Sequence, residues 1–215
     1  MFRKLLLASI ALILLGGGIA YLQSTPIAMA LVEKIVGERM QDPLTQLEDG
    51  LHVGLCGTGS PFPDPDRAAP CTLVIAGKDM FLFDAGSAAA KQISTMRFST
   101  GQLKGVFITH FHSDHIDGLG EVLMTRWAQH TEGQRLTVHG PNGISNILQG
   151  FKQAYTADTG YRTAHHGAAI MPNELAGADV NEFSVQKGQY TTVLQQPDLL
   201  IEAFAVNHQP ISPAV

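Results

Sequence analysis

The segment Thr109-His110-Phe111-His112-Ser113-Asp114-His115 constrains this chain more than any other stretch. It ends a short apolar run, Gly105 to Thr109, which reads as a strand. On an extended continuation His110 and His112 alternate, so both face one side. Asp114 and His115 then stand at the turn into the next helix. Imidazole and carboxylate together suit zinc and similar divalent metals. Backbone geometry cannot aim so dense a set at one tetrahedral ion. It divides the set into His110 with His112 and Asp114 with His115. Two groups predict two metals sharing a bridging water, the arrangement of two-metal hydrolytic centres.

Composition narrows the rest. The chain has 215 residues, enough for one ordinary domain and a short appendage. Charged residues make up 15% and hydrophobic ones 45%, which excludes a disordered chain. With 14 Lys+Arg against 19 Asp+Glu the net charge is -5, which argues against nucleic-acid binding by bulk electrostatics. Two cysteines exclude a disulfide-dense mini-protein and a cysteine-built zinc finger. Cys56 and Cys71 flank one loop, where they form either a disulfide or two buried thiols.

Residues 1–26 read as a targeting segment. Arg3 and Lys4 precede an uncharged apolar run from Leu5 to Leu22. As a helix this run is about 27 Å long, close to the hydrocarbon core of a bilayer. It predicts a membrane helix with the following domain on the outer, periplasmic side. The other reading is a cleaved signal peptide, with small residues at Gly18-Ile19-Ala20 and Ala28-Met29-Ala30, and a secreted domain. Residues 27–50 predict an amphipathic helix, with Leu31, Val32, Ile35, Val36 and Met40 on one face, followed by a polar linker.

Residues 51–215 read as one α+β domain. Strands are expected at Leu51 to Cys56, Cys71 to Ile75, Met80 to Phe83, Gly105 to Thr109, Leu136 to His139, Thr191 to Leu194 and Leu199 to Val206. Gly77-Lys78 predicts a hairpin turn. Helices are expected at Gly86 to Met96, Gly118 to His130 and from Gly143 to about Tyr155. Thr156 to Asp179 shows no periodicity and reads as irregular. Gly57-Thr58-Gly59 lacks the third glycine and following helix of a dinucleotide fingerprint, and no Gly-x-Ser-x-Gly elbow supports a serine nucleophile.

The His-x-His-x-Asp-His loop resembles the signature of the metallo-β-lactamase superfamily, and its setting is most similar to the ribonuclease Z and arylsulfatase-like branch. Leu55-Cys56-Gly57-Thr58-Gly59-Ser60-Pro61 resembles that branch's first-strand glycine turn. Phe83-Asp84-Ala85-Gly86 resembles its Asp-x-Gly element, and Gly140-Pro141-Asn142-Gly143-Ile144 its Gly-Pro turn. Ala205-Val206-Asn207-His208, with Pro213-Ala214, resembles its third motif. The resemblance implies an αβ/βα sandwich. It implies zinc, with manganese or iron as alternatives, two ions in the full-length protein. His110, His112 and His208 would bind the first, and Asp114 and His115 the second, with Asp114 also acting on the attacking water. Asp84 would either hold a ligand in place or cap the helix after Gly86.

The family pattern continues after its third motif with a bridging aspartate and a last histidine. No Asp or His follows His208. The sequence therefore reads as an N-terminal fragment with an incomplete sandwich, inactive by itself. His165 and His166 read as a polar surface loop, with a weak second reading as substrate contacts. His52, His130 and His139 read as ordinary, partly buried histidines. The resemblance implies a metal-dependent hydrolase using a zinc-bound hydroxide on a small ester or phosphodiester. The alternatives are a ribonuclease Z that processes the 3′ ends of transfer RNA and a catalytically inactive metal-binding domain.

Overall fold

The computed structural model describes residues 28, 29, 32, 42–129 and 133–215. The chain divides into two compact units, Met1–Asp42 and Pro43–Val215. Of the first unit, Ala28, Met29 and Val32 are helical and exposed. The expected membrane run Leu5 to Leu22, the rest of the amphipathic helix and His130 lie outside the described residues. Among the described residues no helix is long and apolar enough to cross a membrane.

The second unit is built on a mixed six-stranded sheet in the order β1-β2-β3-β4-β5-β6. Strands β1 (Leu51–Gly57), β2 (Cys71–Ala76) and β3 (Asp79–Phe83) form an antiparallel meander. The β2–β3 turn is the one expected, and Gly77 takes a φ of +59°, which a side chain would resist. Strands β4 (Leu103–Phe107), β5 (Leu136–Pro141) and β6 (Ala178–Phe183) then add in parallel. The crossovers carry α1 (Ala89–Thr95), the single turn α2 (Ser113–Ile116), α3 (Leu119–Ala128), α4 (Ile144–Ala154) and α5 (Thr156–His166). Strands β7 (Tyr190–Gln196) and β8 (Leu199–Phe204) form a separate antiparallel hairpin.

One face of the sheet is sealed by helices. Leu73, Ile75, Met80, Leu82, Val106 and Val138 pack with Ile93, Leu119, Val122, Ile144 and Leu148 in a single core. Each of these side chains removed from water contributes about 1.5–3 kcal/mol. The other face holds an aromatic stack: Phe83 on Phe107 at 4.8 Å and Phe107 on His139 at 4.4 Å. On β1, Leu51, Val53 and Leu55 stay exposed. The α+β expectation holds, with a helix layer, the main sheet and a separate two-stranded sheet.

One expectation fails between Thr156 and Asp179. The stretch is not irregular, because Thr156–His166 is α5 and Ala178 opens β6. α5 buries no side chain, so it leaves no apolar period to read. Its turns are tied instead by the Asp158–Arg162 pair and by Thr163 Oγ1 donating to the Met171 carbonyl. β6 is a polar edge strand, and Glu182 on it accepts from the Gly143 and Ser145 amides that open α4. The last expected strand also ends early, at Phe204. The tail folds back, with Val206 N–H donating to Ala214 and Val215 N–H to Thr109.

Candidate metal centre

The centre lies where β3 and β4 end side by side. Because these strands are parallel, their C-terminal ends share one edge of the sheet, the usual place for ligand chemistry in such sheets. Past Phe83, Asp84 turns into the left-handed region (φ +57°) and donates its N–H to the Phe107 carbonyl at 2.8 Å. Past Phe107, Ile108 donates to the His139 carbonyl, and the chain runs extended through the first histidines.

His110 is buried, His112 half-buried and His208 exposed, and each offers a ring nitrogen within 4.8 Å of the others. His110 Nε2 lies 2.9 Å from His112 Nδ1. The His208 ring centroid is 4.7 Å from that of His110 and 5.1 Å from that of His112. His208 reaches this position from the tail, in a turn closed by Ile211 N–H donating to its carbonyl. Asp114 and His115 sit in α2, with Asp114 Oδ2 3.8 Å from His115 Nε2. The His110 and His115 rings are 4.1 Å apart, so the two groups adjoin. Three imidazole nitrogens converging at one point, beside a carboxylate–imidazole pair, are a donor set that fits two divalent ions of the zinc kind.

Asp84 underpins both groups. Its Oδ1 accepts the Thr109 amide at 2.8 Å, and its Oδ2 accepts the Thr109 hydroxyl at 2.9 Å and His115 Nδ1 at 2.7 Å. It does not cap the next helix: the residue before α1 is Ala88, and no side chain caps there. Burial, with the neighbouring His115 and His208 adding to it, holds His110 down at about 4. Burial also opposes charge on His115, yet the Asp84 hydrogen bond and the Asp84 and Asp114 charges raise it overall.

The loops carrying these residues are locked backbone to backbone. Ala85 N–H donates to the His115 carbonyl and Gly118 N–H to the Ala85 carbonyl, both at 2.9 Å. A Cβ on Gly86 would overlap the Asp114 carbonyl, and one on Gly118 would overlap that of Gly86. Gly86 N–H also donates to the Pro70 carbonyl, next to Cys71, which is disulfide-bonded to Cys56. Thr109 and Gly118 went unread in the sequence. Their signals were a hydroxyl beside the first histidine and a glycine at the close of α2.

His165 and His166 stand exposed at the end of α5 and do not join the histidine group. His52 is half-buried and donates to the Glu48 carbonyl. His139 is fully inside, its Nδ1 accepting from Asn181 at 2.8 Å.

Comparison with known proteins places this geometry. The model of a family described as "Anti-Pycsar protein Apyc1" matches residues 51–160, just over half of the chain. The chain belongs to that family, within the ribonuclease Z branch of the metallo-β-lactamase superfamily. "Ribonuclease Z" of Mycobacterium marinum is 35% identical over 167 residues, covering 77% of this chain and 57% of that protein. "Ribonuclease Z" of Mycobacterium bovis is 34% identical with the same coverage. The chain thus spans 57% of the length of these superfamily relatives. The crystal structure of human tRNase Z, short form (ELAC1), superposes with a TM-score of 0.56 at 23% identity. It covers 74% of this chain and 61% of that one, and carries the fold alone. The family match spans β1 to β5, helices α1 to α4 and the histidine loop.

Proposed function

We propose that this chain carries the metal-binding half of a metal-dependent phosphodiesterase, with RNA as the favoured substrate class. The observation that carries the reading is the convergence of His110, His112 and His208 within 4.8 Å, beside Asp114 and His115. The all-imidazole triad favours zinc over oxygen-seeking cations, with manganese or iron the alternatives at the carboxylate-bearing group. Metals bound here would make water a nucleophile near neutral pH and offset the charge of a phosphodiester.

The chain's own residues divide the remaining work. Asp84 holds the Thr109 and His115 positions. Asp114, buried and acceptor-rich, is placed to take the proton of an attacking water. Among the described residues Asp114 and His115 are alone in the second group, so this chain by itself is expected to hold the second ion weakly and to turn over poorly.

Two substrate readings remain, each with its own support. The relatives named ribonuclease Z favour an RNA phosphodiester such as the 3′ end of a transfer RNA precursor, against the weight of the -5 net charge. The Cys56–Cys71 disulfide and the Arg3/Lys4-flanked apolar run favour an exported domain, anchored outside or secreted, acting on a small phosphodiester or ester. The test is to assay the protein with zinc or manganese on a precursor RNA bearing a 3′ trailer, on bis(p-nitrophenyl) phosphate and on p-nitrophenyl acetate. Chelator-sensitive cleavage of RNA supports the first reading, and of the chromogenic diester alone the second. Activity that survives both chelator and Asp114→Ala contradicts the proposal.

A further inference from the structure

Thr109 precedes the first histidine, and its hydroxyl lies between two groups on which the centre depends. Oγ1 is 2.9 Å from Asp84 Oδ2 and 3.1 Å from Oδ1. On its other side it is 3.0 Å from His110 Nδ1. A hydroxyl has one proton to give, and a carboxylate can only accept. The Thr109 proton therefore points to Asp84, and Oγ1 turns a lone pair to His110. His110 Nδ1 must carry the ring proton and donate it to Thr109. In the neutral ring Nε2 is then bare, and Nε2 is the atom that lies 2.9 Å from His112 Nδ1. The same Asp84 carboxylate accepts from His115 Nδ1 at 2.7 Å, which in the neutral ring leaves His115 Nε2 bare opposite Asp114.

We propose that Thr109 is a positioning residue whose hydroxyl passes the demand of Asp84 on to His110 and fixes its Nδ1–H tautomer. One carboxylate then presents a bare Nε2 in each of the two groups, directly in one and through Thr109 in the other. The proposal rests on the metal-centre reading above and deepens it. It also fixes the third ring. With His110 Nε2 bare, His112 donates from Nδ1 in the metal-free protein. Metal binding moves only that proton, to His112 Nε2, while His110 and His115 keep theirs. Without the hydroxyl, His110 is free to place its proton on Nε2, aimed into the ligand group.

Thr109→Val isolates this role. It removes the hydroxyl, keeps the shape and keeps the backbone N–H that donates to Asp84 Oδ1 at 2.8 Å. Thr109→Ser keeps the hydroxyl. Ring tautomers are read by long-range ¹H–¹⁵N correlation on the metal-free protein at pH about 9, where imidazoles are neutral. Zinc affinity is read by competition with a chromophoric chelator. In the wild type the expected tautomers are Nδ1–H at His110, His112 and His115, with only His112 switching when zinc is added. Thr109→Val should show mixed tautomers at His110 and bind zinc about 10-fold more weakly, the lower end for outer-layer partners of metal-bound histidines. Thr109→Ser should restore both. Nε2–H at His110 in the wild type, which needs no variant to detect, would overturn the proposal. So would a folded Thr109→Val that binds zinc within about twofold of wild type. A wild-type protein that retains no zinc would overturn the metal-centre reading itself.

Discussion

Asp84 Oδ2 lies 2.7 Å from His115 Nδ1, and this contact joins the loop after β3 to the loop after β4. The carboxylate is buried and also takes the amide and hydroxyl of Thr109. Truncation would leave those donors without a partner inside the protein. Asp84→Ala is expected to cost about 1–3 kcal/mol of folding stability per stranded donor, on the scale of a buried unsatisfied group. It should also weaken metal binding about 10–100-fold. Urea unfolding and zinc competition measure the two effects. Wild-type zinc affinity in a folded Asp84→Ala would show that Asp84 does not organise the centre.

Gly86 and Gly118 predict a second outcome. At both, the fault in an alanine variant is overlap with a backbone carbonyl, not a strained φ. Carbonyls do not swing aside as a side-chain tip does, so the Asp114 loop must shift. Gly86→Ala should lose about 1–3 kcal/mol and Gly118→Ala a similar amount, as for overpacking elsewhere. By contrast Gly150→Ala, which meets nothing within 4 Å, should be neutral or stabilising in its helix. Equal stability of all three variants would refute the close-approach account.

The Cys56–Cys71 disulfide closes a loop with a sequence separation of 15 between β1 and β2. Loop-closure entropy for that length is worth about 3 kcal/mol. Cys56→Ser with Cys71→Ser should therefore lower the thermal midpoint by several degrees, roughly 2–4 °C per kcal/mol for a chain of this size. A dithiol reductant should lower the midpoint of the wild type and leave that of the double variant unchanged. If reductant shifts neither, the bond contributes nothing to the fold.

The sequence made the centre legible because chemistry is dense there. Three imidazoles and one carboxylate within six residues leave little choice, and the structure brings His110 and His112 together with His208. The apolar strands β2 to β5 were legible because their buried faces demand Val, Ile, Leu and Phe. α5 and β6 were not. Neither presents an apolar face, so nothing in their residues repeats at 3.6 or 2. Thr109 escaped for another reason: its role comes from a neighbour 25 positions away, and only the fold supplies that pairing.

His139 gives a pH prediction away from the histidine loop. Burial lowers it from 6.5 to about 4, while the unfolded chain keeps the ordinary value. Protons therefore favour the unfolded state between these limits. The stability held above pH 6.5 should fall by up to about 3 kcal/mol as pH drops to about 4. His139→Gln, which removes the titrating group, should flatten that part of the stability profile by about one proton's slope relative to wild type. Parallel profiles for the two proteins would place the His139 charge in water.

The central claim is that His110, His112 and His208 hold one metal ion. Zinc K-edge absorption on protein loaded with one equivalent of zinc tests it most directly. The account predicts a shell with three imidazole nitrogens at about 2.0–2.1 Å. The number of imidazoles should fall by one in His208→Ala. An oxygen-dominated shell, or a spectrum that His208→Ala leaves unchanged, would contradict it.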